Sequence, residues 1–322
     1  MILAVLEASD GSLKKISAEL AAAARKAQAL LGADGVALLL IGADDVAADA
    51  ACALDCDLCL TVKGEAFSGY AAEAWAAAVV QAAKDVSAPL ILFGSTSFGR
   101  DLAPRVAGLM EAGLLADVAE LTLEDGHLAA ARSVYSGKVN ARLASLSAVT
   151  LATVRPNAFS PAGSAAPQAP RRELEVAVDP ASVHCRAREV RRQAATRPEL
   201  TEASVVVAGG RGLKDPENFH LIEELADLLG AAVGTTRATV DAGWRPHSEQ
   251  IGQTGKNIAP ALYINVGISG AVQHISGVFG SRTIVSVNRD AEAPIFKISD
   301  YGVVGDALEI LPHLIEEVRR LG

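Results

Sequence analysis

The sequence predicts an α/β protein of two domains: an N-terminal parallel-sheet domain of the nucleotide-binding type with added antiparallel strands, and a C-terminal doubly wound domain. Apolar segments of strand length alternate with helical segments in both halves of the 322-residue chain, a pattern typical of parallel sheets covered by helices. Half of the residues are apolar, and only 4% are aromatic. A stretch rich in proline, alanine and serine at 156–172 separates the two alternating regions. The predicted domains are 1–185 and 204–322, joined by a linker at 186–203.

The N-terminal domain begins directly with an apolar strand. Ser12 is predicted to cap the first helix and Gly32 to end it. Strands and helices then alternate up to the strand at 89–93. The predicted elements are Ile2–Leu6, Leu13–Leu31, Val36–Ile41, a short Ala-rich helix, Leu58–Val62, Tyr70–Lys84 and Pro89–Phe93. After Val118 the segments have strand length and are predicted to be antiparallel additions: His127–Val134, Val139–Ala144 and Val149–Val154.

Two features of this half have both a functional and a structural interpretation. The turn from Gly94 to Asp101 precedes a helix and has the hydroxyls to bind a phosphate, but a helix cap is favoured because such caps are common. Cys52, Cys56 and Cys59 have the C-x3-C-x2-C spacing of cluster ligands. Because they lead from an Ala-rich helix into an apolar strand, they are predicted to be small buried side chains, with no metal site.

Charge and hydropathy exclude two classes of partner. The formal net charge of −9 argues against nucleic acid, whose phosphates require a basic face. No apolar run approaches the roughly 20 residues that span a bilayer, so no direct membrane insertion is expected. No charged leader precedes the first strand, which predicts a cytoplasmic protein, or a mitochondrial matrix protein if the chain is a trimmed form. Five arginines lie in or next to the linker, and a solvated face is favoured for them over a patch that docks a partner protein: Arg186, Arg188, Arg191, Arg192 and Arg197.

The C-terminal domain shows a second alternation. Asp215 is predicted to cap an amphipathic helix that has Pro216 at its first position and ends at Gly230. The predicted elements are the strand Val205–Ala208, the helix Glu217–Leu229, the strands Ala232–Gly234, Leu262–Val266 and Thr283–Val287, and a closing helix from Asp306. This order is that of a doubly wound domain, which binds ligands at the carboxyl ends of its strands.

Polar residues recur where these predicted strands end, namely Arg211, Thr236, Arg237, Ser269 and Asn288. Gly267 and Gly270 follow the strand at 262–266. Glycines there let the backbone approach a ligand, and the N–H groups that follow can face a phosphate at the start of a helix. The sequence therefore predicts a dinucleotide cofactor at this edge of the sheet.

The common motifs of catalysis and nucleotide hydrolysis are missing from the sequence. Neither glycine turn matches G-x-G-x-x-G. The segment at 252–256 is not an NTPase loop, because Gln250 stands at the required first glycine and Asn257 replaces the hydroxyl residue after lysine. No Ser–His–acid set, carboxylate pair or H-E-x-x-H motif appears. These features predict that a bound cofactor performs the chemistry.

Four segments of the C-terminal half closely resemble the alpha subunit of electron-transfer flavoproteins: GGRGLKDPENF, VGTTRATVDAGW, IGQTGKNIAPALYINVGISGAVQH and APIFKISDYGVVGDA. The resemblance extends more weakly through GSTSFGRDLAPRVAG and SVYSGKVNA. It implies a C-terminal FAD-binding domain that holds one FAD. It also implies a heterodimer with a beta subunit, which contacts the N-terminal domain and carries an AMP.

The same resemblance implies an electron carrier without a substrate of its own. Electrons would come from acyl-CoA and related dehydrogenases, as in fatty acid beta-oxidation. They would leave to the membrane enzyme electron-transfer flavoprotein:quinone oxidoreductase, through an anionic flavin semiquinone. Two alternatives stay open: an NADH-linked bifurcating or transhydrogenase-like flavoenzyme subunit, and a non-catalytic adenine-nucleotide module based on the N-terminal half.

The family's motifs also imply a set of FAD contacts. Arg237 would stabilise negative charge on the flavin, Thr254 would offer its hydroxyl to flavin N5, and a neutral His274 would donate to the pyrimidine carbonyl O2. Packing or capping could equally account for His274 and Asp306 taken singly. The implied contacts are Arg211, Thr236, Arg237, Ile251, Gly252, Gln253, Thr254, Ser269, Gly270, Ala271, Val272, Gln273, His274, Asn288 and Asp306.

Overall fold

The structure is a computed structural model that describes residues 1–135, 139–161, 168–185 and 197–321. The chain divides into two compact units, which we call the N-terminal unit (1–133 with 140–192) and the C-terminal unit (134–139 with 193–322). Much of the predicted linker at 186–203 lies outside the described residues, and so do Arg186, Arg188, Arg191 and Arg192. Arg197 is described, and its guanidinium forms two hydrogen bonds with the carboxylate of Asp227, at 2.6 and 2.9 Å.

The first part of the chain forms short strands interleaved with helices. The strands are β1 (Ile2–Val5), β2 (Ala8–Ser9), β3 (Ser12–Leu13), β4 (Val36–Ile41), β5 (Leu58–Val62), β6 (Leu90–Gly94), β7 (Gly113–Val118), β8 (Glu120–Glu124), β9 (His127–Val134), β10 (Val139–Ala144), β11 (Thr150–Val154) and β12 (Arg171–Glu173). The helices are α1 (Lys15–Leu31), α2 (Asp45–Cys52), α3 (Ala72–Asp85) and α4 (Ser97–Met110).

Seven strands form the central sheet of the N-terminal unit, in the order β12-β5-β4-β1-β6-β11-β7. Every pairing in this sheet is parallel. Its inner strands are apolar and fully buried because helices cover both faces, which gives two separate apolar clusters. Cys52, Cys56 and Cys59 are buried, and all three lie within the apolar cluster that contains residues of α1 and α2.

The crevice between the carboxyl ends of β1 and β6 is where the strand order reverses, the usual ligand position in such sheets. Here it is occupied by a side chain of the protein itself. The hydroxyl of Thr96 donates to the buried carboxylate of Glu7 at 2.6 Å, and the hydroxyl of Ser17 bonds the Glu7 backbone. A Cβ on Gly94 would come within 2.8 Å of the same carboxylate.

Two predictions for this unit are wrong in detail. Ser12 does not cap α1, because residues 12–13 pair with residues 8–9 as an antiparallel hairpin and the helix begins after Lys14. The strand at 150–154 is not an antiparallel addition. It inserts between β6 and β7 in parallel, which suits a segment buried on both faces. The strands at 127–134 and 139–144 do belong to a separate three-stranded sheet, with β8 antiparallel to β9.

Two other local predictions are confirmed. Gly32 ends α1 in the left-handed conformation at φ 61°. The turn at 94–101 is a helix cap, since the Thr96 hydroxyl accepts a hydrogen bond from the Gly99 N–H at 3.1 Å. Within the described ranges, no helix combines the length and apolar character that crossing a membrane requires.

The C-terminal unit contains a second parallel sheet. Its strands are β13 (Val205–Gly209), β14 (Ala232–Thr235), β15 (Leu262–Val266), β16 (Thr283–Asn288) and β17 (Tyr301–Val304), in the order β14-β13-β15-β16-β17. Its helices are α5 (Phe219–Leu228), α6 (Arg237–Asp241), α7 (Val272–Ile275) and α8 (Ala307–Leu321). All four pairings are parallel, and apolar clusters cover both faces. This order confirms the predicted doubly wound topology, whose order reverses between β13 and β15.

The predicted start of α5 is also confirmed, with one refinement. Asp215 accepts a hydrogen bond from the Glu217 N–H at 3.0 Å, and Pro216 occupies the first helical position. The first turn, however, is a 3₁₀ turn at 216–218, and the α-helix begins at Phe219. Gly230 follows this helix with φ 59°.

Candidate functional site

A cavity of about 840 Å³ lies at the carboxyl ends of β13, β14, β15 and β16, within the C-terminal unit. Its walls come from the segments that follow these strands and from the loop at 250–254. It therefore occupies the place where a doubly wound sheet binds its ligand. The predicted residues that line it are Arg211, Thr236, Arg237, Ile251, Gly252, Gln253, Thr254, Ser269, Ala271, Gln273, His274 and Asn288.

Two glycine turns meet at the floor of the cavity, where the strand order reverses. The Gly212 N–H donates to the Gly267 carbonyl at 3.0 Å, and the Gly210 N–H donates to the Val266 carbonyl at 2.9 Å. A Cβ on Gly212 would lie 2.5 Å from the Gly267 Cα, and a Cβ on Gly267 would lie 2.7 Å from the Gly212 Cα. Side chains at either position would push the turns apart, so glycine is required at both.

The loop at 250–256 is tied to the turn that begins α7. The Gln253 N–H donates to the Gln273 carbonyl at 2.8 Å. Gly252 has φ 135°, and a Cβ there would lie 2.6 Å from the same carbonyl oxygen. The contact holds Thr254 and His274, from two separate segments, in the wall of one cavity.

Thr254 is exposed at the cavity and has a buried neighbour, Gln250. The side-chain amide Nε2 of Gln250 donates to Thr254 Oγ1 at 2.9 Å. Gln250 also lines the cavity, although the sequence motifs did not single it out as a site residue.

His274 lines the cavity and is buried, with 6% of its surface exposed. Its Nε2 lies 2.7 Å from the hydroxyl of Tyr263, a fully buried residue of β15. Its Nδ1 is buried and has no hydrogen-bond partner of good geometry in the described part of the chain. Burial lowers the pKa of His274 to about 4, and the Ile251 backbone raises the pKa by a smaller amount. The imidazole is therefore neutral at physiological pH.

Among the residues that the structure describes, the charged residues in the cavity wall are three arginines and one aspartate: Arg211, Arg237, Arg289 and Asp241. Arg237 is two-thirds exposed, and its guanidinium lies 3.3 Å from the Asp241 carboxylate, one turn along α6. Such an exposed pair contributes little to folding stability. The wall is therefore positive overall and suits an anionic ligand.

Ser269 and Asn288 hold neighbouring strand ends in place. The side-chain amide of Asn288 donates to the Ile268 carbonyl at 2.9 Å and accepts from the Asp290 N–H at 3.0 Å. The Ser269 carbonyl accepts from the Ile295 N–H at 3.1 Å. Thr236 precedes α6, and its carbonyl accepts from the buried Thr239 hydroxyl at 2.6 Å.

Three of the predicted contacts do not line the cavity: Gly270, Val272 and Asp306. Gly270, at φ 82°, lets its turn pass Ile295, because a Cβ there would lie 2.3 Å from the Ile295 nitrogen. Val272 is exposed. Asp306 caps α8 through the Leu308 N–H at 3.0 Å and pairs with Lys214 at 2.6 Å. Their role toward a cofactor stays a prediction.

Several residues that line the cavity were not among the FAD contacts implied by the sequence motifs: Gly210, Gly212, Ala238, Asp241, Gln250, Gly267, Ile268 and Arg289. Of these, Gly267 was predicted to lie where the backbone approaches a ligand. Arg289 directly follows Asn288 at a strand end, and this position was a signal that could have identified it. Gln250 directly precedes the loop at 251–254, but nothing in its neighbours marks its side chain as functional.

These residues fit a flavin dinucleotide. The cavity volume falls within the range of about 300–1,000 Å³ that is usual for cofactor sites. The arginines suit a pyrophosphate and a ring that becomes negative on reduction, and the close-packed glycines leave room for a ligand against the backbone. The buried Nδ1 of His274 has no hydrogen-bond partner of good geometry among the residues that the structure describes, so it is a polar atom for which a ligand could provide one.

Comparison with known proteins agrees with this geometry. Residues 2–179 match the family model described as "Electron transfer flavoprotein domain", and residues 199–279 match "Electron transfer flavoprotein FAD-binding domain". The electron transfer flavoprotein subunit alpha of Paracoccus denitrificans is 41% identical over 315 residues, covering 97% of this chain and 98% of the relative. The protein of the same name from Syntrophomonas wolfei is 37% identical over 316 residues, covering 98% of each chain.

A further relative, the protein FixB of Clostridium saccharobutylicum, is 35% identical over 322 residues, covering 98% of this chain and 95% of the relative. Similarity of this extent covers both units and is not limited to the cavity. The chain therefore belongs to the electron transfer flavoprotein alpha-subunit family, and its C-terminal unit carries that family's FAD-binding domain.

Proposed function

We propose that this chain holds FAD in the cavity of its C-terminal unit and works as an electron carrier, without a substrate of its own. The chain forms a heterodimer with a beta subunit, and that subunit carries an AMP. Electrons enter from acyl-CoA and related dehydrogenases and leave to a membrane electron-transfer flavoprotein:quinone oxidoreductase. The family match and the FAD-binding domain support the carrier role, and the donors and acceptor follow from the sequence resemblance.

The observation that carries the proposal is the position of Arg237. Its guanidinium lies in the cavity wall and is two-thirds exposed. The charge is paired with the exposed Asp241 carboxylate at 3.3 Å, the one ion pair that Arg237 makes within the described part of the chain. A cation held loosely by the protein is free to stabilise negative charge on a ligand, and its effect grows when the ligand excludes water. FAD supplies the one-electron chemistry when it is bound, and Arg237 makes it easier to reduce.

The other residues of the wall have supporting roles. Arg211 and Arg289 supply positive charge suited to the pyrophosphate. The neutral imidazole of His274 and the hydroxyl of Thr254 can offer hydrogen bonds without adding charge. We place the protein in the cytoplasm of a bacterium, or in the mitochondrial matrix if the chain is a trimmed form. The free thiols of Cys52, Cys56 and Cys59 suit a reducing compartment.

The test is to co-express the chain with its beta-type subunit, record the absorption spectrum and reduce the complex stepwise. We expect one FAD per heterodimer, an oxidised flavin spectrum, and a red anionic flavin species halfway through reduction. A complex that stays colourless with added FAD would contradict the proposal and favour an adenine-nucleotide module. Glu7, which occupies the corresponding crevice of the N-terminal unit, argues against that module.

The same complex tests the NADH-linked alternative. A carrier that depends on dehydrogenases should be reduced by an acyl-CoA dehydrogenase with its substrate and only slowly by NADH. Rapid reduction of the flavin by NADH alone would instead favour a bifurcating or transhydrogenase-like subunit. Substituting Arg237 should change the flavin midpoint potential whether the protein is a carrier or an NADH-linked subunit. The comparison of reduction by NADH and by the dehydrogenase therefore tests only which electron donor is used.

A further inference from the structure

The loop that carries Thr254 is closed on itself by backbone contacts at Gln250. The Gln250 carbonyl accepts a hydrogen bond from the Lys256 N–H at 2.7 Å. Gly255 packs so closely that a Cβ there would lie 2.3 Å from the same carbonyl oxygen. On its other side, the Gln250 N–H donates to the His247 carbonyl at 3.0 Å. The backbone of Gln250 is therefore fixed, and its side chain starts from a defined point.

The Gln250 side chain is buried, with 3% of the residue exposed, and its amide group contacts the hydroxyl of Thr254. Its Nε2 donates to Thr254 Oγ1 at 2.9 Å. A hydroxyl that accepts a hydrogen bond along one direction must point its own hydrogen along another. No other hydrogen bond to the Thr254 hydroxyl occurs within the described residues, and Thr254 is exposed where it lines the cavity. Its hydrogen is therefore left for the cavity.

We propose that Gln250 is a positioning residue: by donating to Thr254 Oγ1, it turns the Thr254 hydroxyl hydrogen into the cavity and makes Thr254 a donor to the bound flavin. This inference rests on the proposed binding of FAD in the cavity. It assigns a role to a side chain outside the motifs of the sequence, and it predicts that Gln250 acts through Thr254 and not on the ligand itself.

The orientation of the amide group decides the proposal. If the amide were turned around, its oxygen would accept from the Thr254 hydroxyl, and the hydrogen would point away from the cavity. Gln250→Glu separates the two arrangements, because a carboxylate has nearly the same shape but can only accept. Gln250→Met keeps the length and removes both polar atoms.

The experiment measures FAD affinity by flavin titration of the FAD-depleted heterodimer, and the flavin midpoint potential of the reloaded complex. The variants are Gln250→Met, Gln250→Glu, Thr254→Val and the Gln250→Met/Thr254→Val double variant. We expect Gln250→Met to weaken FAD binding about three- to tenfold, the size of one hydrogen bond. In the Thr254→Val variant, adding Gln250→Met should weaken FAD binding by less than about a further twofold, because the hydroxyl through which Gln250 acts is absent.

Two results of the FAD titrations would overturn the proposal. The losses of FAD affinity in Gln250→Met and in Thr254→Val could add in full in the double variant. That result would mean that Gln250 contacts the flavin or only supports the fold. Wild-type affinity in Gln250→Glu beside a loss in Gln250→Met would mean that the amide oxygen accepts from Thr254. Thr254→Ser, which keeps the hydroxyl, is the control and should retain the coupling to Gln250. Melting temperatures of the FAD-depleted complexes report any loss of folding separately.

A readout that needs no flavin separates this proposal from the proposed function. In the FAD-depleted heterodimer, one side-chain amide proton of Gln250 should show the chemical shift of a hydrogen-bonded donor. That shift should persist in Thr254→Ser and move in Thr254→Val. A heterodimer that binds no FAD would contradict the proposed function, whereas a Gln250 amide unaffected by Thr254→Val would contradict the positioning role.

Discussion

The hydroxyl of Tyr263 and the Nε2 of His274 lie 2.7 Å apart, and both side chains are buried. Burial raises the pKa of Tyr263 well above its usual range, so its hydroxyl keeps its hydrogen. If Tyr263 donates to Nε2, the histidine carries its proton on Nδ1. In the opposite arrangement the tyrosine hydrogen would have no acceptor among the described residues, and Nδ1 would be left as an acceptor without a donor. Donation from Tyr263 therefore leaves fewer unsatisfied groups and favours the Nδ1–H tautomer.

The buried imidazole predicts a pH dependence of stability. The pKa of His274 is about 4 in the folded protein, below its usual value of 6.5, so the unfolded chain binds a proton more readily. Stability should be unaffected by this group above pH 6.5, fall as the pH drops from 6.5 to 4, and level off below. The loss amounts to about 3 kcal/mol, at about 1.4 kcal/mol per pKa unit.

Urea unfolding of the FAD-depleted protein at pH 7 and at pH 4.5 measures this effect. His274→Gln should remove most of the difference that this residue causes. His313→Gln, at an exposed position of α8, is the matched control and should leave the pH dependence unchanged. A wild-type protein and a His274→Gln variant with the same pH dependence would contradict the prediction.

The meeting of the two glycine turns predicts unequal costs for the same substitution. Gly230 and Gly267 both have positive φ, at 59° and 65°, but a Cβ on Gly230 has open space whereas one on Gly267 meets the backbone of Gly212. Gly230→Ala should cost about 1 kcal/mol of unfolding free energy for the left-handed conformation alone. Gly267→Ala should cost about 3 kcal/mol, because the two turns must also separate. Equal changes in denaturant midpoint would show that the contact is not needed for folding.

Arg237 should influence the flavin and leave the fold unaffected. Its exposed pair with Asp241 is worth little, so Arg237→Ala should change the unfolding free energy by less than about 0.5 kcal/mol. The flavin midpoint potential should fall, because a positive charge near the ring is lost. Arg282→Ala is the matched control, since Arg282 is exposed and precedes β16, at the end of the strand away from the cavity. A potential that does not change in Arg237→Ala would contradict the role given to this arginine.

Asp306 offers a way to separate capping from ligand binding. Asp306→Asn keeps the side-chain oxygen that accepts from the Leu308 N–H and removes the charge that pairs with Lys214. The FAD-depleted protein should therefore melt close to wild type, whereas Asp306→Ala should melt lower. If the charge of Asp306 also contributes to a contact with the cofactor, which the family resemblance implies, FAD affinity should fall in Asp306→Asn as well. Unchanged affinity would mean that this charge does not contribute to cofactor binding.

The sequence predicted four of the five strands described in the C-terminal unit, because each of the four is a short apolar run that ends at a glycine or a polar residue. It did not predict β17, whose four residues are all exposed. Parallel pairing then brings Arg211, Thr236, Ser269 and Asn288 to one edge without further information. The direction of the strand at 150–154 could not be predicted in the same way. A short buried apolar run fits a sheet in either direction, and its neighbours β6 and β7 lie far away in the chain.

The details of the site depend on which way side chains point. Val272 and Asp306 belong to matching motifs, but the motifs do not tell which residues face the cavity. Gln250 and Tyr263 act on other side chains, at positions 254 and 274, and nothing in the residues next to them signals these contacts. The hairpin that displaced the predicted Ser12 cap likewise depends on pairing between residues 8–9 and 12–13, which competed with the helix for the same segment.

The carboxylate of Glu7, held by Thr96 between β1 and β6, has a consequence for how sequence variation in this chain should be interpreted. Substitutions around that crevice disturb a filled interior, and we expect them to appear as low yield and early melting in protein of normal colour. Substitutions around Arg237 and Thr254 disturb an open site, and we expect well-folded protein that is pale or altered in potential. Two measurements on a crude lysate, the amount of folded protein and its yellow colour, would therefore distinguish a substitution around the Glu7 crevice from one around Arg237 and Thr254.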